Sequence, residues 1–172
     1  MRTFLTTFLA AVVLLLPRPA AAQRSDADLA RQAALAVRGY PQFTIFDDVN
    51  IAVANGVVTL TGRVTAAYKV KDIGERVGRA AGDERLVNQL EVLPASTTDQ
   101  DLRVRIARAI YTHSTFWQYA SMTNPPIHII VERGRVTLTG AVNSEVERMM
   151  AYALAQVDGA FSVTNRLTLD GR

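Results

Sequence analysis

The chain has 172 residues, of which 49% are apolar, so it is long enough for one domain or two small ones and apolar enough to bury a core. It contains 19 basic and 16 acidic residues and no cysteine, which excludes disulfides, thiolate metal sites and thiol chemistry. The basic residues form no stripe, so the sequence does not favour a nucleic-acid-binding protein.

The first 22 residues have the organisation of an export signal. Arg2 is followed by an apolar stretch at 4–16, and the alanines at 20–22 supply the small-residue pattern that signal peptidase requires. An uncleaved anchor is the alternative, but the apolar stretch is shorter than the ~20 residues that span a membrane. We therefore expect cleavage after Ala22. The remaining chain then has 19 − 2 = 17 basic against 16 acidic residues.

The rest of the chain contains one pattern twice. The sequence Gly-x-Val-Thr-Leu-Thr-Gly-x-Val begins at Gly56 and again at Gly134, an offset of 78. An alternating apolar strand precedes it in both copies, and the turns Asn55-Gly56 and Arg133-Gly134 suit the type I′ geometry. Each copy is therefore predicted to contain a β-hairpin.

One helix is predicted before each hairpin and another after it. Ser25 and Thr98 are predicted N-caps, because each is followed three residues later by an aspartate. Gly82 and Gly159 are predicted to end the second helices. In the second copy this helix is predicted to bury Val146, Met149, Met150, Ala153, Leu154 and Val157. A final strand closes each copy.

The predicted order is α-β-β-α-β, twice. The fold class is α+β, with two tandem modules at 25–94 and 98–170, each a three-stranded mixed sheet with two helices on one face. The residues of the repeated frame are Gly56, Gly62, Gly82, Asn88, Gly134, Gly140, Gly159 and Asn165.

These motifs make each copy resemble the BON module of bacterial envelope proteins. Two such modules behind a signal peptide resemble the osmotically inducible periplasmic proteins. The resemblance implies a periplasmic protein that associates with phospholipid surfaces and supports envelope integrity or tolerance of osmotic stress. The first copy departs from the family pattern after Gly82, where charged residues at 83–85 replace the more usual apolar one.

The second copy has five additional residues before its first strand. Segment 113–126 is rich in large apolar side chains and follows a helix rich in arginine. Membrane-interface aromatics beside basic residues favour docking on anionic headgroups. The alternative is that the aromatics cover the core of their own small module. The lipid-binding candidates are Phe116, Trp117, Tyr119, Met122, Arg103, Arg105 and Arg108.

Small residues recur at every fourth position of the second helices. Gly74 and Gly78 in the first copy correspond to Ala151 and Ala155 in the second. Such a stripe allows another backbone to approach closely. The stripe is a candidate for packing against the helix of the other copy, and the alternative is close packing on its own sheet.

No catalytic residue, metal site or cofactor is predicted. The two histidines, His113 and His128, have no carboxylate at metal-ligand spacing. Asp47 and Asp48 precede a strand, point to opposite sides and are expected to be hydrated. The leading hypothesis is a non-enzymatic protein that binds phospholipid surfaces. The alternative is a protein-interaction or chaperone-like module for other exported proteins.

Overall fold

The computed structural model of the protein describes residues 25–82 and 85–170. The predicted signal peptide at 1–22 and its cleavage site lie outside the described residues, as do two of the charged residues that follow Gly82. The described chain forms two successive α-β-β-α-β modules, which confirms the predicted fold class.

The first module contains five regular elements. They are α1 (Asp26–Arg38), β1 (Asp48–Ala54), β2 (Val57–Val64), α2 (Ala67–Ala81) and β3 (Leu86–Val92). Strand β2 lies between an antiparallel β1 and a parallel β3, so the sheet is mixed. The parallel step from β2 to β3 requires a crossover connection, and α2 provides it.

The second module repeats this order with three modifications. Its elements are α3 (Thr97–Tyr111), a 3₁₀ turn (Ser114–Phe116), α4 (Trp117–Ala120), β4 (Ile127–Glu132), β5 (Arg135–Val142), α5 (Glu145–Leu154), β6 (Ser162–Asn165) and β7 (Thr168–Leu169). The added segment forms the 3₁₀ turn and α4. Helix α5 is shorter than α2, so Gly159 lies in the following turn and does not end the helix as predicted. The last strand is interrupted, and both of its parts pair with β5.

Both hairpin turns are tied to the start of the preceding helix. Asn55 and Gly56 have positive φ angles of 53° and 74°, as the predicted type I′ turn requires. Their backbone N–H groups donate to the carboxylate of Asp26, at 3.0 and 2.8 Å. In the second module the turn N–H groups at 133 and 134 donate to Asp99, both at 2.8 Å. One acidic side chain thus fixes each turn to its helix.

The N-cap of α3 differs from the prediction. Ser96 caps the helix by accepting the N–H of Asp99 at 3.1 Å, whereas Thr98 lies within the first turn. The predicted cap of α1, Ser25, is confirmed by its bond from the N–H of Asp28. The observed cap, Ser96, lies two residues before the predicted cap, Thr98. When the two copies are aligned, α3 begins earlier than α1.

Each sheet buries the face that its two helices cover. The first core contains Leu29 and Ala33 from α1, Leu60 from β2, and Ile73 and Val77 from α2. The second core has the same layers and is larger, because the added segment contributes to it. Glycine is required near the end of the central strand in both modules. At Gly62 and Gly140, φ is 126° and 105°, and a Cβ would overlap the backbone carbonyl of Asp48 or Pro126 in the neighbouring segment.

The two modules are joined through the segment that precedes β1. The N–H of Ile129 in β4 donates to the carbonyl of Ile45 at 2.7 Å. Ile45 and Phe46 pack against the core of the second module. On the outer face of β4, His128 contacts the Asp47 carbonyl and Glu132 forms an ion pair with Arg63. Ile130 lies between these two and is buried.

Asp47 is the buried polar centre of this junction. Its carboxylate accepts the Lys69 ammonium at 2.6 Å, and the backbone N–H groups of Thr44 and Thr65 at 2.9 and 2.8 Å. Burial alone would raise the pKa of Asp47, but these hydrogen bonds outweigh it and hold the pKa below its usual range. The expectation that Asp47 is hydrated was wrong, because the loop turns this side chain inward onto α2.

Candidate functional site

The arginines of helix α3 lie partly in the core and partly on the surface. Arg103 is buried, and its guanidinium donates to the Val131 carbonyl at 2.6 Å and to the Gln100 side chain at 3.2 Å. Burial lowers the pKa of Arg103, in opposition to the nearby aspartates. This arginine is therefore a structural residue of the second module, and its side chain is not presented to a membrane as predicted.

Arg105 and Arg108 lie on the exposed side of α3. The Arg105 guanidinium donates to the carbonyl of Asp158 at 2.8 Å, just beyond the end of α5. Arg108 and Thr112 follow at three and seven residues, so they share that side of the helix. The Trp117 indole donates to the Thr112 carbonyl at 3.1 Å, and 65% of the residue is exposed. Trp117 therefore lies at the C-terminal end of the arginine side of α3.

The other aromatic residues of the added segment separate into two groups. Phe116 is fully buried, and Tyr119 is 3% exposed with its ring 6.0 Å from that of Phe116. The Tyr119 hydroxyl donates to Glu147 at 2.6 Å. Burial and this carboxylate raise the pKa of Tyr119 to about 12. Met122 is exposed. Phe116 and Tyr119 thus complete the core, as the alternative interpretation expected, whereas Trp117 and Met122 face solvent.

Helix α5 exposes part of the stripe that the sequence analysis assigned to the core. Val146 and Met149 are 71% and 54% exposed, and Ala153 is exposed as well. That part of the prediction was wrong, because the face that packs on the sheet is rotated from the predicted one. The residues of the covered face are Glu147, Met150, Ala151, Leu154 and Ala155.

The exposed stripe of α5 belongs to a helix that contacts the segment carrying Trp117. The Asn165 side chain donates to the Arg148 carbonyl at 2.9 Å, which places that flank of α5 against β6. Val146 and Met149 lie on the solvent-exposed side of α5. Gln118, next to Trp117, contacts Glu147 at 3.4 Å. We define the outer helical face as Arg105, Arg108, Trp117, Val146, Met149 and Ala153.

The first module has a different surface at these positions. The offset of 78 aligns Lys71 of α2 with Met149, and Glu75 with Ala153. Lys71 and Arg79 lie 3.8 and 3.9 Å from Glu75, at helical spacing. The outer side of α2 is therefore a solvated face of charged residues. The second module instead exposes apolar residues together with Arg105 and Arg108, which form no ion pair with another described residue.

Comparison with known families identifies the repeated unit. The model of the BON domain matches residues 25–94 and again residues 98–171, which together are most of the chain. The chain belongs to the BON domain family. Its two BON domains coincide with the two modules of the structure, and the dual-BON interpretation of the sequence is confirmed.

Two solved structures align with the tandem BON domains at low identity. One is the C-terminal domain of CdsD, described as a structural protein of the type III secretion system of Chlamydia trachomatis. It is 14% identical, and the alignment covers 86% of this chain and 68% of that chain with a TM-score of 0.35. A second CdsD structure is 15% identical, with 85% and 64% covered and the same TM-score. The chain thus spans less than two thirds of that second structure. No curated protein matches the chain.

The small-residue stripe of α2 packs against β3, the last strand of the same domain. A Cβ at Gly74 would lie 2.6 Å from the side-chain nitrogen of Asn88, which donates to the Val70 carbonyl at 2.8 Å. Gly78, Ala151 and Ala155 are also buried within their own domains. At the offset of 78 that relates the two helices, Ala151 and Ala155 align with Ile73 and Val77, so the predicted correspondence with Gly74 and Gly78 is one residue out. Close packing on the domain's own sheet, the second of the two interpretations, accounts for this geometry. Asn88 and Asn165 of the family frame hold helix to strand in the two domains.

The histidines have structural contacts in the second BON domain. His113 caps the 3₁₀ turn by accepting the N–H of Thr115 at 3.3 Å. His128 lies 2.5 Å from the Asp47 carbonyl, and its ring is 5.3 Å from that of Phe43. Among residues 25–82 and 85–170, no three side chains of the metal-binding types are grouped to hold an ion.

Val146 and Met149 are the site residues that sequence reasoning missed. The signal that distinguishes them was present in the repeat, because their aligned residues in the first BON domain are Tyr68 and Lys71. A lysine at a position in one copy indicates that the aligned position of the other copy is exposed, since lysine is rarely buried without a partner. Alignment of the two copies therefore predicts the exposed side of α5 better than the apolar periodicity of this helix alone.

Proposed function

We propose that this protein is a non-enzymatic binding protein of the periplasm that docks peripherally on anionic phospholipid through its second BON domain. It is exported by the signal peptide at 1–22, and its docking supports envelope integrity or tolerance of osmotic stress. The family supports the association with envelope membranes. The outer helical face supports the placement of the contact.

The exposure of apolar residues on the same domain as the exposed Arg105 and Arg108 is the observation on which the proposal rests. An indole and two or three aliphatic side chains suit the boundary between headgroups and acyl chains. Arg105 and Arg108 each add about 1 kcal/mol of attraction near an anionic surface. No described helix has both the length and the apolar character to cross a bilayer. The binding we propose is therefore reversible and sensitive to salt.

Vesicle titration of the full protein tests this function. The protein has one tryptophan, so the fluorescence of Trp117 reports contact of this face directly. We expect a blue shift with vesicles of phosphatidylglycerol, and a much weaker one with phosphatidylcholine. Met149→Glu places a negative charge against the anionic lipid surface. It is expected to weaken vesicle binding by about tenfold or more, which corresponds to ~1.4 kcal/mol.

Leu35→Glu is the matched control. Leu35 lies on α1 of the first BON domain and is 62% exposed, which is comparable to Met149. We expect vesicle affinity to be unchanged in this variant. Equal losses in the two variants, or no loss in Met149→Glu, would contradict the placement on the outer helical face. Absence of any vesicle binding, together with crosslinking to exported proteins, would favour the protein-interaction alternative.

A further inference from the structure

A cavity lies between the two BON domains, and its lining includes no residue of the outer helical face. It has a volume of about 880 Å³, which is within the range of small-molecule sites. One wall is formed by the end of α1 and by β1 from Asp48 to Ile51. The other wall is formed by segments 124–126 and 139–141 and by the bend between β6 and β7. We call this cavity the interdomain cleft.

Each domain contributes one arginine to the interdomain cleft. Arg38 lies in the last turn of α1, and Arg166 lies at the bend that follows β6. Both residues are exposed, and within the described residues neither guanidinium has a hydrogen-bond or ion-pair partner. The two cations therefore face one cavity from opposite domains with their donor groups free.

The remaining charged and polar groups of the cleft compensate this positive charge only in part. Asp48 is the one acidic residue that lines it, and its carboxylate already accepts the Asn50 amide at 3.0 Å and the Thr139 hydroxyl at 2.8 Å. His128 also lines the cleft, and burial lowers its pKa, so it is neutral near pH 7. Two arginines against one aspartate give the cleft a net charge of about +1.

Apolar side chains complete the walls. Val37 and Phe43 come from the first domain, and Pro125 and Pro126 from the second. A ligand that fits this lining combines an anionic group with a small apolar or glycerol-like portion. Phosphate suits donors that approach from two sides, because its oxygens are arranged tetrahedrally, whereas a carboxylate accepts in one plane.

We propose that the interdomain cleft binds a phosphate ester, which Arg38 and Arg166 hold from the two BON domains. The ligand bridges the domains, so its binding stabilises their docked arrangement. The ester is either the headgroup of a phospholipid or a soluble phosphate ester, and the chemistry of recognition is the same for both. This site is independent of the membrane contact on the outer helical face.

Calorimetric titration of the full protein with defined probes tests the proposal. The probes are glycerol 3-phosphate, a short-chain phosphatidylglycerol below its micellar concentration, inorganic phosphate and acetate. We expect at least one of the two esters to bind more tightly than inorganic phosphate, and acetate not to bind. Preference for glycerol 3-phosphate identifies a soluble source, and preference for the short-chain lipid identifies a headgroup. Binding no tighter than that of inorganic phosphate would overturn the assignment.

Substitutions on the two walls test the bridging geometry. Arg38→Gln and Arg166→Gln are each expected to weaken ester binding by about tenfold, because each removes one charge-assisted contact. Both side chains are exposed, so the urea midpoint is expected to remain that of the unaltered protein, and its measurement checks the fold. Arg31→Gln removes the same charge from an exposed position of α1 outside the cleft and is the matched control. Unchanged affinity in both cleft variants, or an equal loss in Arg31→Gln, would overturn the proposal.

Discussion

The second helix of each BON domain occupies the same place on its sheet, but the side chains that face solvent differ. In the first domain Lys71, Glu75 and Arg79 form a charged row, whereas Met149 and Ala153 occupy the aligned positions of the second. The buried sides remain alike in both. The fold therefore constrains only the covered side of this helix, and the outer side is free to differ between the two copies.

The two domains also differ in the group that accepts the backbone N–H just after the central strand. In the first, the N–H of Thr65 donates to Asp47, a loop carboxylate held by Lys69. In the second, the N–H of Asn143 donates to Glu147, which aligns with Lys69 and is held by the Tyr119 hydroxyl. The aligned N–H groups of the two domains thus donate to carboxylates from different elements. In the first domain the acceptor belongs to a buried ion pair between Asp47 and Lys69. In the second it belongs to a partly exposed carboxylate, Glu147, that accepts from the neutral Tyr119 hydroxyl.

The largest expected effect comes from breaking the ion pair of the first domain. Asp47→Ala leaves the Lys69 ammonium buried without a partner, which costs about 3–5 kcal/mol of unfolding free energy. Glu147→Ala removes the corresponding acceptor of the second domain and is expected to cost about 1–2 kcal/mol, because it leaves a neutral hydroxyl and a neutral N–H without an acceptor and no buried charge. Urea denaturation measures both. Similar losses in the two variants would show that the two anchors are energetically equivalent.

A second prediction concerns the dependence of the second domain on the first. Ile45 belongs to the first domain but packs on the core of the second. Ile45→Ala is therefore expected to destabilise the second domain by about 1–2 kcal/mol, since the side chain is only partly buried. Trp117 fluorescence follows the unfolding of that domain selectively. Leu35→Ala, on the exposed side of α1, serves as the control and is expected to leave this transition unchanged.

The smallest effect is a pH dependence at the junction. Burial lowers the pKa of His128 below 6.5, against the opposing effects of the Asp47 carbonyl and the Asp48 and Asp47 charges. The unfolded chain then binds a proton more readily than the folded chain, so the contribution of His128 is fully present above pH 6.5 and is lost as the pH falls. Urea midpoints at pH 7.5 and 5.5 measure this slope. His128→Gln is expected to reduce the slope, whereas His113→Gln is expected to retain it.

The sequence was sufficient for the fold of each domain because the decisive signals are local. The turn at Asn55-Gly56 and the glycines at 62 and 140 specify backbone geometry that few other residues adopt. The repetition of these signals at one offset then defined two copies. The order of helices and strands along the chain followed from the same motifs and was correct in both domains.

The errors concern properties that depend on distant parts of the chain. Helix α5 has two overlapping apolar stripes, and periodicity alone does not show which one the sheet covers. Asp47 was assigned to solvent because Lys69, its partner, lies 22 residues away on another element. Of the candidate lipid-binding residues, Phe116 and Tyr119 are buried because α3 and α5 enclose them. The contact between the two domains had no local signature at all.

The placement of Ile45 against β4 has a consequence for self-association. Strand β4 is an edge strand, and an open strand edge is a template for pairing with another chain. The first domain occupies this edge through the Ile45–Ile129 hydrogen bond and the Asp47–His128 contact. Tandem duplication therefore provides the second domain with a cap against edge-to-edge aggregation, a risk that a single copy of this domain would carry alone.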